Sequence, residues 1–190
     1  MEIRAVSTDA AALASYEQLF QHCFPGASHL NATYLDWLYA RNPAGQVIGC
    51  DAWEGDTLAA HYVCVPVAAM VAGRPLRVML SLNTATHPDF QGKGLFTRLA
   101  DATYQAGAAA GIGAVYGVAN ANSTPGFIRK LGFTLVRPLD AQIGFGRIDD
   151  RDAQAAGEQA EFRRDWSQAA LAWRVANPQR SYALVRVADG

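Results

Sequence analysis

The chain has 190 residues, enough for one domain of ordinary size, or for one domain with a short appendage. Hydrophobic residues make up 51% and charged residues 17%, a composition that can bury a core and that excludes a disordered chain. The 16 basic and 17 acidic residues give a formal net charge of −1, which argues against a general nucleic-acid-binding protein.

The first residues of the chain lack the basic start and apolar run of a signal peptide. Residues 58–72 are the longest apolar stretch, but they contain His61 and Pro66 and are shorter than the roughly 20 residues that cross a bilayer. We therefore expect a cytoplasmic protein without membrane association.

Neither the cysteines nor the histidines have the spacing of a metal site. The three cysteines are odd in number, lie among apolar neighbours and favour a reducing compartment. An acyl-cysteine route through Cys64 is conceivable, but burial in an apolar strand raises a thiol pKa and disfavours it. We expect no metal.

The first half of the chain predicts the order β-α-α followed by three strands. Residues 3–6 form a strand, and Ser7 or Thr8 caps a helix that ends near Pro25. A second helix covers residues 31–41 and stops before Asn42-Pro43. Turn residues then separate three apolar strands in an antiparallel meander, predicted over residues 47–53, 57–71 and 76–86.

The second half predicts a long helix over residues 94–110, a buried strand over 114–119 and a short helix over 122–131. Residues 133–136 and 142–148 then predict a hairpin that closes a core of residues 1–148.

Residues 149–190 predict an extension that the core does not need. It consists of a linker over 149–158, a helix over 161–176 and a strand over 181–187. Its Trp173 and Asn177-Pro178 echo Trp37 and Asn42-Pro43, although the spacing differs by one residue. Chance and a partial duplication both explain this echo.

Residues 82–96 carry the chemistry of the chain, because a strand runs through a glycine-bearing turn directly into a helix. The N–H groups at a helix start have no internal partners and bind phosphate oxygens. Gly92 and Gly94 would let the backbone approach a pyrophosphate closely.

Two other phosphate motifs fail on spacing. A dinucleotide fingerprint that begins at Gly92 needs glycine at position 97, where Thr97 stands. A nucleotide P-loop needs serine or threonine after Lys93, where Gly94 stands.

Residues 91–96 resemble motif A of the GNAT acyltransferase superfamily, Q/R-x-x-G-x-G/A, and residues 122–133 resemble that family's N-x-x-A-x-x-x-Y-x-K-L-G-F helix. Together with the element order, the resemblance covers nearly all of residues 1–148. It implies an α+β fold of the GNAT type, in which helices flank a central mixed, mostly antiparallel twisted sheet.

The resemblance implies acetyl-CoA as the acyl donor and a small-molecule primary amine as the acceptor, acylated by direct attack. The loop and the preceding strand end would hold the donor, and Asn122, which we favour over Asn120, would hold its pantetheine arm. Lys93 and Arg98 could each meet a phosphate, although a solvated helix face explains Arg98 equally well. The cofactor-binding candidates are Thr84, Ala85, Thr86, Gln91, Gly92, Lys93, Gly94, Leu95, Phe96 and Asn122.

Two positions depart from the family pattern. Phe96 stands where glycine or alanine is usual, which questions the packing of the helix start. Ile128 stands where many members carry the tyrosine that protonates the leaving thiolate. The proton then comes from water or another side chain, or the protein binds coenzyme A without transferring an acyl group.

His61 and Asn83 are the catalytic candidates, because a general base must lie within reach of the amine. A satisfied histidine within the sheet is the plainer explanation of His61. Asn83 and Ser81 are expected to share a strand face and could order a water molecule, or they could make core hydrogen bonds. For His87, a structural role within the loop is a better explanation than a role as general base.

The aromatic residues Tyr34, Trp37 and Tyr39 lie in the helix pair that borders the acceptor site in this family, where they line the site or simply pack. The Trp-to-Asn-Pro helix and residues 117–126 are similar to those of family members associated with bacterial cell-surface polysaccharide synthesis. This resemblance implies an amino sugar as acceptor. The alternatives are a non-catalytic coenzyme A-binding protein and a subunit whose extension docks a partner or completes a homodimer through its last strand.

Overall fold

The computed structural model describes residues 1–139 and 159–182, and its centre is a mixed sheet flanked by helices. The strands follow the order β1-β2-β3-β4-β5 across the sheet, antiparallel except for the parallel pair β4–β5. The predicted meander and the mixed, mostly antiparallel sheet are confirmed. The strands are β1 Glu2–Ala5, β2 Ile48–Glu54, β3 Thr57–Val71, β4 Arg74–Thr86, β5 Ala114–Gly117 and β6 Phe162–Arg164.

The first two helices cover one face of the sheet. Helix α1, Ala10–Cys23, begins after Asp9, whose carboxylate accepts from the Ala12 N–H, so Asp9 is the cap and not Ser7 or Thr8 as expected. Helix α2, Ala32–Leu35, continues into a π-helical turn, Asp36–Ala40. Both helices pack their apolar residues against the inward side chains of β3.

The other face carries helices α3, Leu95–Ala109, and α4, Thr124–Leu131. Because neighbouring strand residues point to opposite faces, β3 serves both layers. Its Val63 packs with α1 and α2, while Tyr62 and Cys64 pack with α3.

The predicted helix over residues 161–176 is wrong in its first part. Residues Phe162–Arg164 form β6, which pairs with Ala69–Val71 of β3, and helix α5, Gln168–Val175, begins only after its cap Ser167. The open edge of β3 supplies backbone partners that no local pattern reveals.

The predicted strand over residues 133–136 is also absent, since residues 132–139 form neither helix nor strand. Residues 181 and 182 lie outside any strand. The predicted strand over 142–148, the linker over 149–158 and the rest of the last strand, 183–187, lie outside the described residues. The boundary at residue 148 and a homodimer through the last strand therefore stay predictions.

Candidate functional site

Strand β4 contains a bulge in the segment that the motifs single out. Between the pairs Val63–Leu82 and His61–Ala85, β4 has one residue more than β3, and the backbone of Asn83 adopts a φ of 49°. A positive φ is uncommon for a residue other than glycine, and bulges often redirect a side chain beside a functional site.

The bulge turns the Ser81 and Asn83 side chains to opposite faces. The Ser81 hydroxyl bonds to Tyr62 on the α3 face, whereas the Asn83 amide donates to Tyr39 Oη on the α1–α2 face, 3.0 Å away. The expectation that they share a face is therefore wrong, because the extra residue shifts the alternation of the strand.

Beyond the bulge, β4 and β5 separate. Their pairing ends at Ser81 and Gly117, so within the described chain residues 82–86 have no strand partner on the β5 side. A cleft of about 1690 Å³ opens between the strands, and Tyr104 of α3 and Ile128 of α4 also line it. The separation leaves room for an extended ligand to lie along β4.

The loop between β4 and α3 presents an accessible backbone. A 3₁₀ turn, Pro88–Phe90, is capped by His87, whose Nδ1 accepts from the Asp89 N–H, so His87 serves the loop structure. Gly92 and Gly94 have φ values of 76° and 72°, and no atom lies within 4 Å of the position that a Cβ would occupy on either. Both conformations favour glycine.

The start of α3 borders a smaller cavity of about 220 Å³. The first N–H groups of α3 have no carbonyl partner within their helix, and Lys130 of α4, which also lines this cavity, adds a positive charge. These groups suit a phosphate. Sequence reasoning missed Lys130, because nothing local shows that α4 reaches the loop. The cavity is lined by Thr86, Phe90, Gln91, Gly92, Gly94, Leu95, Phe96, Thr97 and Lys130.

The unusual Phe96 does not disturb the helix start. Its ring makes edge contacts with Tyr62 and Phe127, with ring centroids 5.8 and 5.5 Å apart, and it lies beside Gly126. The side chain therefore enters an aromatic cluster between α3 and α4 and leaves the backbone N–H groups of the loop accessible.

Of the other residues predicted to bind the acyl donor, some line the cleft and others do not. Thr84 and Asn122 line the large cleft, while the side chain of Ala85 is buried against α1 and α2, so only its backbone is available. Lys93 lies with its Nζ 4.6 Å from the ring centroid of Phe90 and does not line the small cavity.

The structure also separates the two asparagines before α4. Asn120 Oδ1 accepts from the N–H groups of Asn122 and Ser123, so Asn120 organises the turn that begins the helix. The Asn122 side chain makes no hydrogen bond within the described residues and lies at the cleft.

A buried polar network lies beneath Asn83 on the α1–α2 face. His61 is fully buried; its Nδ1 is 2.6 Å from Asp51 Oδ1 and its Nε2 is 3.1 Å from Tyr39 Oη. Tyr16 donates to the other Asp51 oxygen over 2.7 Å, and burial raises the pKa of Tyr16 and of Tyr39. His61 is thus satisfied on both nitrogens and reaches Asn83 only through Tyr39.

Three hydroxyl groups form a chain on the opposite face. Ser81 Oγ lies 2.8 Å from Tyr62 Oη, which lies 2.6 Å from Tyr104 Oη. Burial raises the pKa of Tyr104 to about 12, so its hydroxyl keeps its proton well above the usual range of tyrosine. Burial likewise raises the pKa of the neighbouring Cys64 thiol to about 12, which disfavours the acyl-cysteine route.

Within residues 1–139 and 159–182, no group of three or more histidine, cysteine, aspartate or glutamate side chains could hold a metal ion. None of the helices in these ranges is long and apolar enough to cross a bilayer.

A mixed sheet whose parallel pair separates beside a glycine loop and a helix start is the arrangement expected of an acyltransferase of the type that the motifs resemble. The family model described as an acetyltransferase (GNAT) domain matches residues 2–136. The chain belongs to this family of N-acyltransferases, and its GNAT fold is confirmed. A search of curated proteins found no significant match.

Solved structures show the same fold at low identity. A GCN5-related N-acetyltransferase from Ralstonia eutropha is 20% identical with a TM-score of 0.56, over 75% of this chain and 97% of that one. The aminoglycoside 6′-N-acetyltransferase of Acinetobacter haemolyticus is 13% identical with a TM-score of 0.56, over 78% and 100%. The ribosomal-protein-alanine N-acetyltransferase of Brucella melitensis is 13% identical with a TM-score of 0.56, over 76% and 100%.

Proposed function

We propose that the protein transfers an acetyl group from acetyl-CoA to the primary amine of a small molecule, by direct attack of the amine on the thioester. The observation that carries this proposal is the accessible loop at the start of α3, which lies beside a cleft that leads to the bulge in β4. The loop can hold the phosphates of the donor, and the cleft beside the bulge can hold its reacting group.

The donor would lie along the unpaired edge of β4. Its pyrophosphate would be held by the backbone around Gly92 and Gly94 together with Lys130, since a helix start and a cation both favour an anion. Its pantetheine arm would follow residues 82–86, with the Asn122 amide at the opposite wall.

In the transfer step, the amine nitrogen uses its lone pair to attack the thioester carbonyl carbon. A C–N bond forms, the C–S bond breaks, the nitrogen gives up a proton and the leaving thiolate takes one. Backbone N–H groups near Thr84 to Thr86 would polarise the carbonyl, because charge develops on its oxygen in the transition state.

Tyr104 is our candidate for the acid that replaces the missing tyrosine. Ile128 lines the cleft but has no proton to give, whereas Tyr104 lines the same cleft and its hydroxyl ends the chain Ser81–Tyr62–Tyr104. That chain could return a proton to Tyr104 after each transfer.

On the amine side, Asn83 would orient the amine or an ordered water molecule. His61 would act as a positioning residue, because it is fully buried and contacts Asn83 only through Tyr39. The amine proton would pass to a water molecule bound beside Asn83 and from there to solvent.

The acceptor would enter the cleft beside the end of α1, where the exposed ring of Phe24 lines it. Aromatic rings offer faces for stacking against a sugar, whereas Trp37 and Tyr39 are buried and pack within the core. Two of the structural neighbours are aminoglycoside acetyltransferases, which supports testing amino sugars first. Three free cysteines support a reducing compartment, and we place the reaction in the cytoplasm.

The test is release of free thiol from acetyl-CoA in the presence of a panel of amines that includes amino sugars. Transfer to at least one amine, with a slower rate in Tyr104→Phe and an unchanged rate in the control Tyr182→Phe, is the expected result. A thermal shift with coenzyme A but no thiol release with any amine would favour the alternative, a coenzyme A-binding protein without catalysis. The absence of any shift would reject both.

A further inference from the structure

Residues 167–180 repeat the local structure of residues 31–45. Each segment begins with a capping residue, Asn31 or Ser167, whose side-chain oxygen accepts from the backbone N–H three residues further on, over 3.0 and 3.3 Å. Each carries a tryptophan six residues after the cap, Trp37 and Trp173.

The two segments also end in the same turn. Asn42 and Asn177 each precede proline, and each Oδ1 accepts from the N–H two residues on, over 3.1 and 2.8 Å. Their carbonyls accept from the N–H three residues on, over 3.1 and 3.4 Å. The extra residue between Trp37 and Asn42 falls in the π-helical turn, which takes up one more residue than an α-helical turn. The two segments therefore share the cap, the position of the tryptophan and the exit turn.

The two tryptophans meet in a reciprocal contact. Their rings are stacked with centroids 4.5 Å apart and planes 10° apart. The Trp37 indole N–H donates to the Trp173 carbonyl over 2.9 Å, and the Trp173 indole N–H donates to the Trp37 carbonyl over 3.0 Å. Reciprocal contacts of this kind are typical of two equivalent surfaces related by a two-fold axis.

This contact fixes the part of the fold that reaches Asn83. Trp37 lies in the π-helical turn Asp36–Ala40, and Tyr39 of the same turn accepts from the Asn83 amide and bonds to His61. The carbonyl of Trp37, which Trp173 holds, is two residues from Tyr39. A shift of this turn would move the Tyr39 hydroxyl away from the bulge.

We propose that helix α5 is a positioning element of the active centre, in which Trp173 holds the π-helical turn and thereby keeps Tyr39 against Asn83. The inference rests on the proposed function in one respect, that Asn83 takes part in the transfer. It assigns helix α5 a role in catalysis, although none of the residues of α5 lines the cleft.

The first experiment compares Trp173→Ala with Leu171→Ala, a control on the exposed side of the same helix. We expect Trp173→Ala to lower kcat about tenfold, which corresponds to about 1.4 kcal/mol of lost transition-state stabilisation. The KM for acetyl-CoA should stay within about twofold of the wild-type value, because donor contacts are untouched. Trp173→Phe keeps a stacked ring without the N–H donor. This variant should remain folded, and its kcat should lie between those of Trp173→Ala and Leu171→Ala.

The second experiment is a double-mutant cycle with Tyr39→Phe. If Trp173 acts through Tyr39, the loss in kcat from Trp173→Ala largely disappears in the Tyr39→Phe background, because coupled residues give non-additive effects. Additive losses would overturn the proposal, and so would a Trp173→Ala variant indistinguishable from Leu171→Ala.

A readout without activity separates this inference from the proposed function. The side-chain amide of Asn83 gives its own ¹H–¹⁵N signals, which should shift in Trp173→Ala and Trp173→Phe but not in Leu171→Ala. If the wild type transfers no acetyl group, the proposed function fails while these signals still test the positioning. Unchanged signals in both tryptophan variants would reject the positioning even if the enzyme is active.

Discussion

Substituting Gly94 by alanine tests the phosphate loop at a position where backbone strain acts alone. Gly94 caps α3 with a φ of 72°, and no atom lies within 4 Å of the position that a Cβ would take. A side chain in this left-handed conformation costs about 1–2 kcal/mol. The loop should relax away from the conformation that presents its N–H groups, so coenzyme A binding should weaken about 5- to 30-fold.

Gly73 offers a matched control in the turn between β3 and β4. It has a φ of 75° and the same open space around a Cβ position, but it lies at the opposite end of β4 from the loop and lines neither cavity. Gly73→Ala should lower Tm by the same amount, about 2–8 °C for a chain of this size, and keep its affinity for coenzyme A.

Isothermal titration with coenzyme A and thermal unfolding, measured on both variants, complete the test. Equal affinity of Gly94→Ala and wild type, with Tm lowered as in the control, would refute the assignment of the loop N–H groups to the phosphates. Equal loss of affinity in both variants would show that stability, not loop geometry, controls binding.

Three further predictions follow from the buried polar groups. Because an acid acts only while protonated and burial raises the pKa of Tyr104 to about 12, kcat should have no alkaline limb due to Tyr104 below about pH 10; a limb there that vanishes in Tyr104→Phe would contradict this. His61→Ala leaves the buried Asp51 carboxylate without its imidazole partner and should lower the free energy of unfolding by about 3–5 kcal/mol in urea, whereas a loss under about 1 kcal/mol would argue against the network. Cys64, fully buried with its pKa raised to about 12, should resist iodoacetamide in the folded protein at about pH 8, and mass spectrometry showing its rapid alkylation would disprove this.

The parts of the fold that the sequence predicted are those with a local physical cause. The three meander strands carry β-branched residues between turn residues, and the glycine spacing at Gly92 and Gly94 distinguishes the loop from other phosphate motifs. Their boundaries fall within a few residues of those observed.

The features of the fold and site that the sequence did not predict depend on contacts between distant segments. The bulge at Asn83 shows only in the register between β3 and β4, and it reverses the face on which Asn83 lies. Strand β6 exists because β3 extends beyond β2 and offers an open edge. Lys130 reaches the small cavity only through the packing of α4 against α3. None of these follows from periodicity along the chain.

The π-helical turn determines the direction in which the side chains of that segment point. One residue of an α-helix turns the chain by about 100°, so deleting Leu38 would rotate Tyr39 away from the bulge relative to Trp37. The helix around Trp173 lacks this extra residue and carries Val175 two residues after its tryptophan, where the earlier segment carries Tyr39. Both segments thus supply the tryptophan contact, but only the earlier one has a hydroxyl group at that position to reach Asn83.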